Sequence, residues 1–323
     1  MPEQNKPNNK VESQPSDWQQ RITGEWYGAP SVFDPQGVHQ GYEKVSRASV
    51  FKDGKTIYWM RTELEGGGPL TQRFELADQF EFAVEDSDSH RIYIGPDFFG
   101  AGEPFGSMVD AHYYSPAWKS DLHTMVHVLA DGETQVYSSL LYEGPTIIAV
   151  FNGVYKVAFD YETNEVTRQR IDDFTALEKL RGPRPQVLPQ KRAGRWSGVL
   201  EVFDHEQKPV GDAQVVIEHR PLDLNRTEQT ITITGVIEQS WTMVRNREGN
   251  LTTFHGPGAW GNGRTYGRAM YPSYHLHGQS LKIKGREFLL DPATGEMSVV
   301  WQFSEGEVLR HAAFGLLSWE EAS

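Results

Sequence analysis

The sequence of 323 residues contains no cysteine. This absence excludes disulfide bonds, thiolate nucleophiles, and zinc or iron–sulfur centres that are held by cysteine. Any reactive or metal-binding group in this chain is therefore expected among its histidine, carboxylate and hydroxyl side chains.

The sequence also lacks an apolar run of the roughly 18 residues that a membrane-spanning helix requires. Positive charge is scarce as well, since Asp and Glu outnumber Lys and Arg by 44 to 31 and the formal net charge is −13. Nucleic acids and anionic membranes both select basic surfaces. We therefore expect no nucleic-acid partner and no membrane span.

The N-terminal segment has no apolar core of the kind found in a signal peptide. From Met1 to about Ser16 it is rich in Pro, Asn, Gln and Lys, a composition typical of disordered chains. We predict a disordered tail over residues 1–17 and a cytoplasmic location.

The most informative feature of the sequence is an internal duplication. Residues 24–34 and 194–204 share six of eleven positions, including the pattern Gly-X-Trp-X-Gly and a final Val-Phe-Asp. A second match relates residues 95–102 to 256–263 and extends to Tyr113 and Tyr274. Because solenoid repeats are only about 20–50 residues long, this spacing predicts two duplicated domains.

Both units show strand signals. Asp53-Gly54 and Asp131-Gly132 each separate two runs rich in Val, Ile, Tyr and Phe, which is the pattern of a β-hairpin, and Phe80, Phe82 and Val84 alternate with polar residues. Short strands at regular spacing indicate a sandwich or a barrel. The predicted fold class is all-β, with two tandem antiparallel barrels.

A short amphipathic helix is predicted between the units. It begins at Asp172-Asp173, carries Lys179 and Arg181 at its end, and stops at Gly182-Pro183, as the helix dipole and proline favour. We expect it to act as a strap against a barrel, followed by a proline-rich linker. The predicted domains are a first barrel over 18–165, helix and linker over 166–192, and a second barrel over 193–323.

The tripeptides Gly24-Glu25-Trp26 and Gly194-Arg195-Trp196 open the two units. A Gly-X-Trp at the start of the first strand of an antiparallel unit resembles the pattern of the calycin superfamily, which includes lipocalins, fatty-acid-binding proteins and nitrobindin-like barrels. The doubled plan is similar to two-domain lipocalin-like proteins such as carotenoid 1,2-hydratases and certain natural-product cyclases. The resemblance implies that each tryptophan closes a barrel end beneath a basic residue of the last strand, with Lys156 and Arg310 as candidates.

The first unit holds the denser set of acid–base residues. Asp110 and His112 alternate along one predicted strand, and His123 and His127 share a face of the next. A histidine beside a carboxylate in an apolar cavity is suited to general acid–base catalysis. We therefore take these four residues as catalytic candidates, while the alternative is that they face solvent.

A second set of residues is predicted to bind the substrate. Tyrosine hydroxyls can donate a hydrogen bond to a developing oxyanion, an arginine can orient a substrate, and aromatic rings line apolar pockets. The candidates are Trp59, Arg61, Phe99, Tyr113, Tyr114 and Tyr137.

The same histidines are also possible metal ligands. His123 and His127 could form a three-ligand site with His112 or Asp110, whereas His275-Leu276-His277 lacks the glutamate that a cupin-like motif needs. The prediction is that the protein uses no metal and no other cofactor.

Two functions follow from this sequence. The first is a redox-neutral enzyme (a hydratase, isomerase, lyase or cyclase) that uses acid–base residues in a barrel cavity on a hydrophobic or aromatic small molecule. The alternative is a non-catalytic carrier of such a molecule, because a barrel fold does not by itself select either function. A homodimer is left open.

Overall fold

A computed structural model describes residues 14–66, 70, 79–185 and 191–322 of the chain. It contains two closed antiparallel barrels, which confirms the predicted fold class, and each barrel has ten strand positions. Most of the predicted tail, and the predicted strand residues Phe74 and Leu76, lie outside the described residues. In the described part of the chain, neither helix is long and apolar enough to cross a membrane.

Barrel 1 follows a short helix α1 (Asp17–Arg21). Its strands are β1 (Glu25–Gly28), β2 (Ser31–Phe33), β3 (His39–Lys52), β4 (Lys55–Gly66), β5 (Gln79–Asp86), β6 (Arg91–Ile94), β7 (Phe99–Phe105), β8 (Met108–Ser115), β9 (Ser120–Val128), β10 (Thr134–Glu143) and β11 (Thr146–Ala158).

Strands β1 and β2 lie end to end and together occupy one strand position. Both pair with β3 on one side and with β11 on the other, which closes the barrel. Pro30 lies in the break between them, where its lack of an N–H group interrupts the ladder. At the β3–β4 turn, Asp53 and Gly54 both have positive φ angles (53° and 74°), as a two-residue type I′ hairpin requires.

Barrel 2 repeats this plan without the break. Its strands are β12 (Gly194–Asp204), β13 (Pro209–Pro221), β14 (Arg226–Gly235), β15 (Gln239–Glu248), β16 (Leu251–His255), β17 (Ala259–Tyr266), β18 (Ala269–Leu276), β19 (Leu281–Asp291), β20 (Glu296–Glu305) and β21 (Val308–Glu321). Strand β12 pairs with both β13 and β21.

Helix α2 (Glu165–Arg181) connects the barrels and is longer than predicted. It begins at Glu165 because the Asn164 side chain accepts hydrogen bonds from the amides of Val166 and Thr167, an N-cap that the prediction overlooked. Near its end, Lys179 pairs with Glu65 of barrel 1 at 2.6 Å, and Glu178 pairs with buried Arg268 of barrel 2. The helix therefore straps both barrels together.

The two barrels also pack directly against each other through their outer faces. Phe105, Met108 and Met125 of barrel 1 contact Phe203 and Phe314 of barrel 2 in one apolar cluster. A second cluster joins Leu129, directly after β9, and residues of β10 and β11 to residues of β18 and β19. These strands therefore bury side chains on both of their faces.

The two opening tryptophans are buried, but not beneath the predicted basic residues. The indole N–H of Trp26 donates to the Ile22 carbonyl, and that of Trp196 donates to the Gly295 carbonyl. Lys156 pairs with Asp131, and Arg310 pairs with Glu305 in solvent. The prediction for these two basic residues is wrong because both have carboxylate partners on the outer surface.

Candidate functional site

Barrel 1 encloses a cavity of about 560 Å³. Strand alternation places every second side chain on its wall, for example Tyr113 of β8 and Leu122 and Thr124 of β9. Ligand pockets in proteins commonly measure about 300–1,000 Å³. The interior of barrel 1 is therefore large enough for a drug-sized molecule.

The equivalent space in barrel 2 is filled by its own side chains. Trp196, Trp241, Trp301, Phe254 and Phe303 form a continuous core there with branched aliphatic residues of the surrounding strands. Trp301 and Phe254 have no exposed surface. The duplication has thus produced one hollow barrel and one packed barrel.

Helix α1 closes one end of the hollow barrel. The Ser16 amide and hydroxyl donate to the Asp86 carboxylate at 3.2 and 2.9 Å, and the Gln19 side-chain amide donates to the Ser49 carbonyl at 3.2 Å. These bonds hold Trp18 and Ile22 against the cavity wall. Access for a ligand is therefore expected from the opposite end, which carries the β6–β7 and β8–β9 connections.

One side of the cavity is a cluster of aromatic rings. Phe82 contacts Phe98 with ring centroids 5.2 Å apart, and Tyr93 contacts Tyr113 at 4.8 Å. Tyr58 and Phe80 complete the cluster. Burial raises the pKa of the Tyr113 hydroxyl well above its ordinary value, so the group is neutral and can donate a hydrogen bond.

Arg47 supplies a positive charge on the cavity wall. One of its guanidinium N–H groups donates to Gln135 Oε1 at 2.7 Å, and the guanidinium lies over the Tyr155 ring at 4.1 Å. Within the described residues, no carboxylate lies within ion-pair distance of it. Barrel 2 differs, because its buried Arg245 forms a two-pronged pair with Glu287 at 2.9 and 3.0 Å.

Glu43 lies two strand steps before Arg47 and also lines the cavity. Burial raises the pKa of its carboxyl to about 7, against a smaller opposing effect of Arg47. Neither Glu43 nor Arg47 is among the residues predicted from the sequence. The one available signal was that Glu43 and Arg47 lie on the same face of β3 as the apolar residue Val45. Charged residues at alternate positions of a strand, however, normally indicate a face that is exposed to solvent.

The four predicted catalytic residues do not face the cavity. On β8 and β9 the inward positions belong to residues such as Tyr113 and Thr124, so Asp110, His112 and His123 project from the outer surface. The expectation that these residues work inside a barrel cavity is therefore wrong. Alternation correctly grouped the residues within each strand, but the closure of the sheet into a barrel decided which face points outward.

Three of the four residues nevertheless lie together. Asp110 Oδ1 is 2.6 Å from His123 Nε2 and 3.9 Å from His112 Nε2, and the two imidazole rings stack with centroids 4.0 Å apart. Although burial alone raises the pKa of Asp110, the bond to His123 and nearby positive charge lower it below its ordinary value. An ionised carboxylate only accepts, so Nε2 of His123 is the donor.

His127 lies apart from this cluster, in the interface between the barrels. Its Nδ1 is 3.2 Å from Ser298 Oγ, and it borders a void of about 20 Å³, which is too small for any ligand but a water molecule. Burial lowers the pKa of His127 to about 4. The imidazole is therefore neutral at physiological pH.

The predicted substrate-binding residues divide into two groups. Tyr113 and Tyr137 line the cavity. The other four lie off the cavity wall: Trp59, Arg61, Phe99 and Tyr114. For Arg61 the side-chain partner is Gln79 on the outer surface, and Phe99 is 58% exposed. Substrate contact stays a prediction for Tyr113 and Tyr137 and has no geometric support for the other four.

No family profile matches the sequence, and no curated protein matches it significantly. Among solved structures, a protein of unknown function from Nostoc punctiforme, of the DUF3598 family, is similar with a TM-score of 0.57 and 12% identity. The match covers 96% of this chain and 100% of that one. The two chains share a fold. At 12% identity, the likeness extends no further than that.

Two weaker matches carry no structural argument. One is the isotype 1 transferrin-binding protein B of Neisseria meningitidis, at a TM-score of 0.23 and 8% identity over 88% of this chain and 66% of that one. The other is the di-domain ARO/CYC protein StfQ of the steffimycin biosynthetic pathway, at 0.13 and 10% identity over 92% and 85%.

Proposed function

We propose that barrel 1 binds a hydrophobic or aromatic small molecule that carries one polar or acidic group. The observation that carries this proposal is the contrast between the two barrels, because the same fold is hollow in one copy and filled by tryptophans in the other. An empty apolar volume costs stability, since its lining side chains lose packing partners. A ligand that fills the cavity would restore those contacts.

The distribution of polar groups suggests how such a ligand lies. The aromatic cluster of Phe82, Phe98 and Tyr113 offers a flat apolar surface to a ring or a chain. Arg47 lies beside Trp26 on the neighbouring strand, near the end closed by α1, and no carboxylate among the described residues lies within ion-pair distance of it. These features support a ligand whose polar group lies against Arg47, near the closed end.

The test uses a substitution that fills the cavity and one that does not. Thr62 lines the cavity, and its hydroxyl has no hydrogen-bond partner among the described residues. Thr62→Phe would occupy part of the cavity, whereas Thr62→Val keeps the side-chain volume. The proposal expects the wild type and T62V to bind anilinonaphthalene sulfonate in fluorescence titrations, with at least tenfold weaker binding in T62F.

Native mass spectrometry of the protein as purified would identify a retained ligand. Equal dye binding by all three proteins would place the dye elsewhere and would contradict the proposal. A folded T62F is verified by circular dichroism, so that a loss of binding is not confused with unfolding.

A redox-neutral enzyme is the second candidate, and Glu43 is the observation that favours it. A carboxyl with a pKa of about 7 inside an apolar cavity can both accept and donate a proton near neutral pH. The identified ligand would be incubated with protein in deuterium oxide. Deuterium uptake or isomerisation that requires Glu43 and is lost in Glu43→Gln indicates an enzyme, and an unchanged ligand indicates a carrier.

A further inference from the structure

Three metal-binding side chains converge on the outer surface of barrel 1. Asp110 and His112 are two residues apart on β8, and His123 lies directly opposite His112 on the neighbouring strand β9. One donor atom of each residue lies within 4.8 Å of the other two. Among the residues that the structure describes, these are the three histidine or carboxylate side chains that lie close enough together to bind one metal ion.

The separations are close to those of a metal site. Zinc binds nitrogen and oxygen at about 2.0–2.2 Å, so two ligands of a tetrahedral site lie about 3.3 Å apart. Asp110 Oδ1 is 2.6 Å from His123 Nε2 and 3.9 Å from His112 Nε2. Each distance has to change by only about 0.6–0.7 Å to reach the tetrahedral value, which a side-chain rotation can supply.

The surroundings suit a site that is anchored and accessible. The second oxygen of Asp110 accepts a hydrogen bond of 2.7 Å from the Gln302 side chain of barrel 2, and such outer bonds orient metal ligands. The side chain of His112 is 69% exposed, which leaves coordination positions open to water. The nearby charge of Arg286 opposes a cation, whereas the carboxylate of Asp110, 2.6 Å from His123 Nε2, favours one.

Barrel 2 provides an internal comparison. The duplication relates positions in this region by a constant offset, since Tyr113 corresponds to Tyr274. His112 and His123 then correspond to Ser273 and Lys284, which are also directly opposite each other. Neither residue is a ligand of the imidazole type, so the cluster belongs to barrel 1 alone.

We propose that Asp110, His112 and His123 form a binding site for a divalent transition-metal ion such as zinc, with water in the remaining positions. Two histidines and one carboxylate are a ligand set used for zinc and for ferrous iron. The site lies outside the cavity, and it is independent of the ligand proposed for barrel 1. Through Gln302, a bound ion also ties the two barrels together.

Metal titration of the full-length protein tests the proposal. Tag-free protein is stripped with a chelator, dialysed, and titrated with zinc chloride by calorimetry and with cobalt chloride by visible absorption. One ion per chain is expected to bind, with a cobalt absorption band typical of four or five ligands. Zinc is also expected to raise the melting temperature, since it binds the folded state.

The decisive variant is His112→Ala, because this side chain is mostly exposed and its ring contact is with His123 of the same cluster. Its zinc affinity should fall at least tenfold. His275→Ala is the matched control, since it removes an exposed histidine from strand β18 of barrel 2, and it should bind zinc like the wild type. Asp110→Asn should also lose tight binding.

Two outcomes would overturn the proposal. One is a wild-type protein that binds no zinc or cobalt ion above the level of H112A. The other is equal loss of affinity in H112A and H275A, which would show that zinc binds to surface histidines in general. If D110N fails to fold, H112A together with the cobalt spectrum still decides between the outcomes.

Discussion

The raised pKa of Glu43 predicts that this single residue makes the protein less stable as the pH rises. The perturbation is Glu43→Gln, which keeps the shape of the side chain and removes its ionisation. In the unfolded chain the carboxyl ionises near 4.5, whereas in the folded protein burial in the cavity raises its pKa to about 7. Between these values the folded state binds one more proton than the unfolded state, so the stability falls with rising pH.

The magnitude follows from the two pKa values. Complete burial would correspond to a loss of about 3 kcal/mol between pH 4.5 and pH 7, at about 1.4 kcal/mol for each pH unit. Glu43 is only partly buried, since it faces a cavity wide enough to admit water, and water screens its charge. We therefore expect the wild type to lose about 1–2 kcal/mol relative to E43Q.

The assay is urea unfolding of the wild type and E43Q at pH 5, 6, 7 and 8. The difference in free energy of unfolding should grow in favour of E43Q up to about pH 7 and then stay constant. Glu63→Gln is the control, because Glu63 is an exposed residue on the neighbouring strand β4. A stability difference between wild type and E43Q that does not change with pH would refute the reasoning.

Three further predictions concern the interface, the cores and the cavity. Burial lowers the pKa of His127 from 6.5 to about 4. As the pH falls from 7 to 4, the free energy of unfolding of the wild type should therefore fall by up to about 3 kcal/mol relative to that of His127→Gln. A stability difference that does not change with pH in urea unfolding would contradict this. Leu122 and Ile283 occupy equivalent positions in the two barrels, but Leu122 borders the cavity and Ile283 is completely buried. Ile283→Ala should therefore lower the free energy of unfolding by about 2–5 kcal/mol and Leu122→Ala by about 1 kcal/mol or less. Equal losses in urea unfolding would argue against a hollow barrel. Arg47→Met should weaken binding of an acidic aromatic dye about 10–100-fold, the equivalent of a charged hydrogen bond, while a neutral dye of the same ring system should bind unchanged in the same fluorescence titration.

Local sequence patterns were sufficient for the architecture. The Asp53-Gly54 turn can be recognised because its two residues tolerate the positive φ angles that a tight hairpin needs. The repeated Gly-X-Trp-X-Gly motif predicts two copies of one fold, and the structure contains two barrels. The start of α2 was missed because its signal is a single capping residue, Asn164, outside the amphipathic stretch.

The candidate site was less accessible to such patterns. Alternation correctly placed Asp110 and His112 on one face of β8 and His123 and His127 on one face of β9, but it contains no information on which face points inward. Polar residues on the inner wall, such as Arg47 and Glu43, have the same period as residues that face solvent. Only the closure of the sheet separates the two cases.

The sequence by itself determined that the protein is a tandem pair of antiparallel barrels, because turn residues and strand periodicity act over short distances along the chain. The tertiary structure alone decided that one barrel is hollow and the other is filled. Whether a barrel encloses a cavity depends on the summed volume of side chains that meet from ten different strands, and no local stretch of sequence contains that sum.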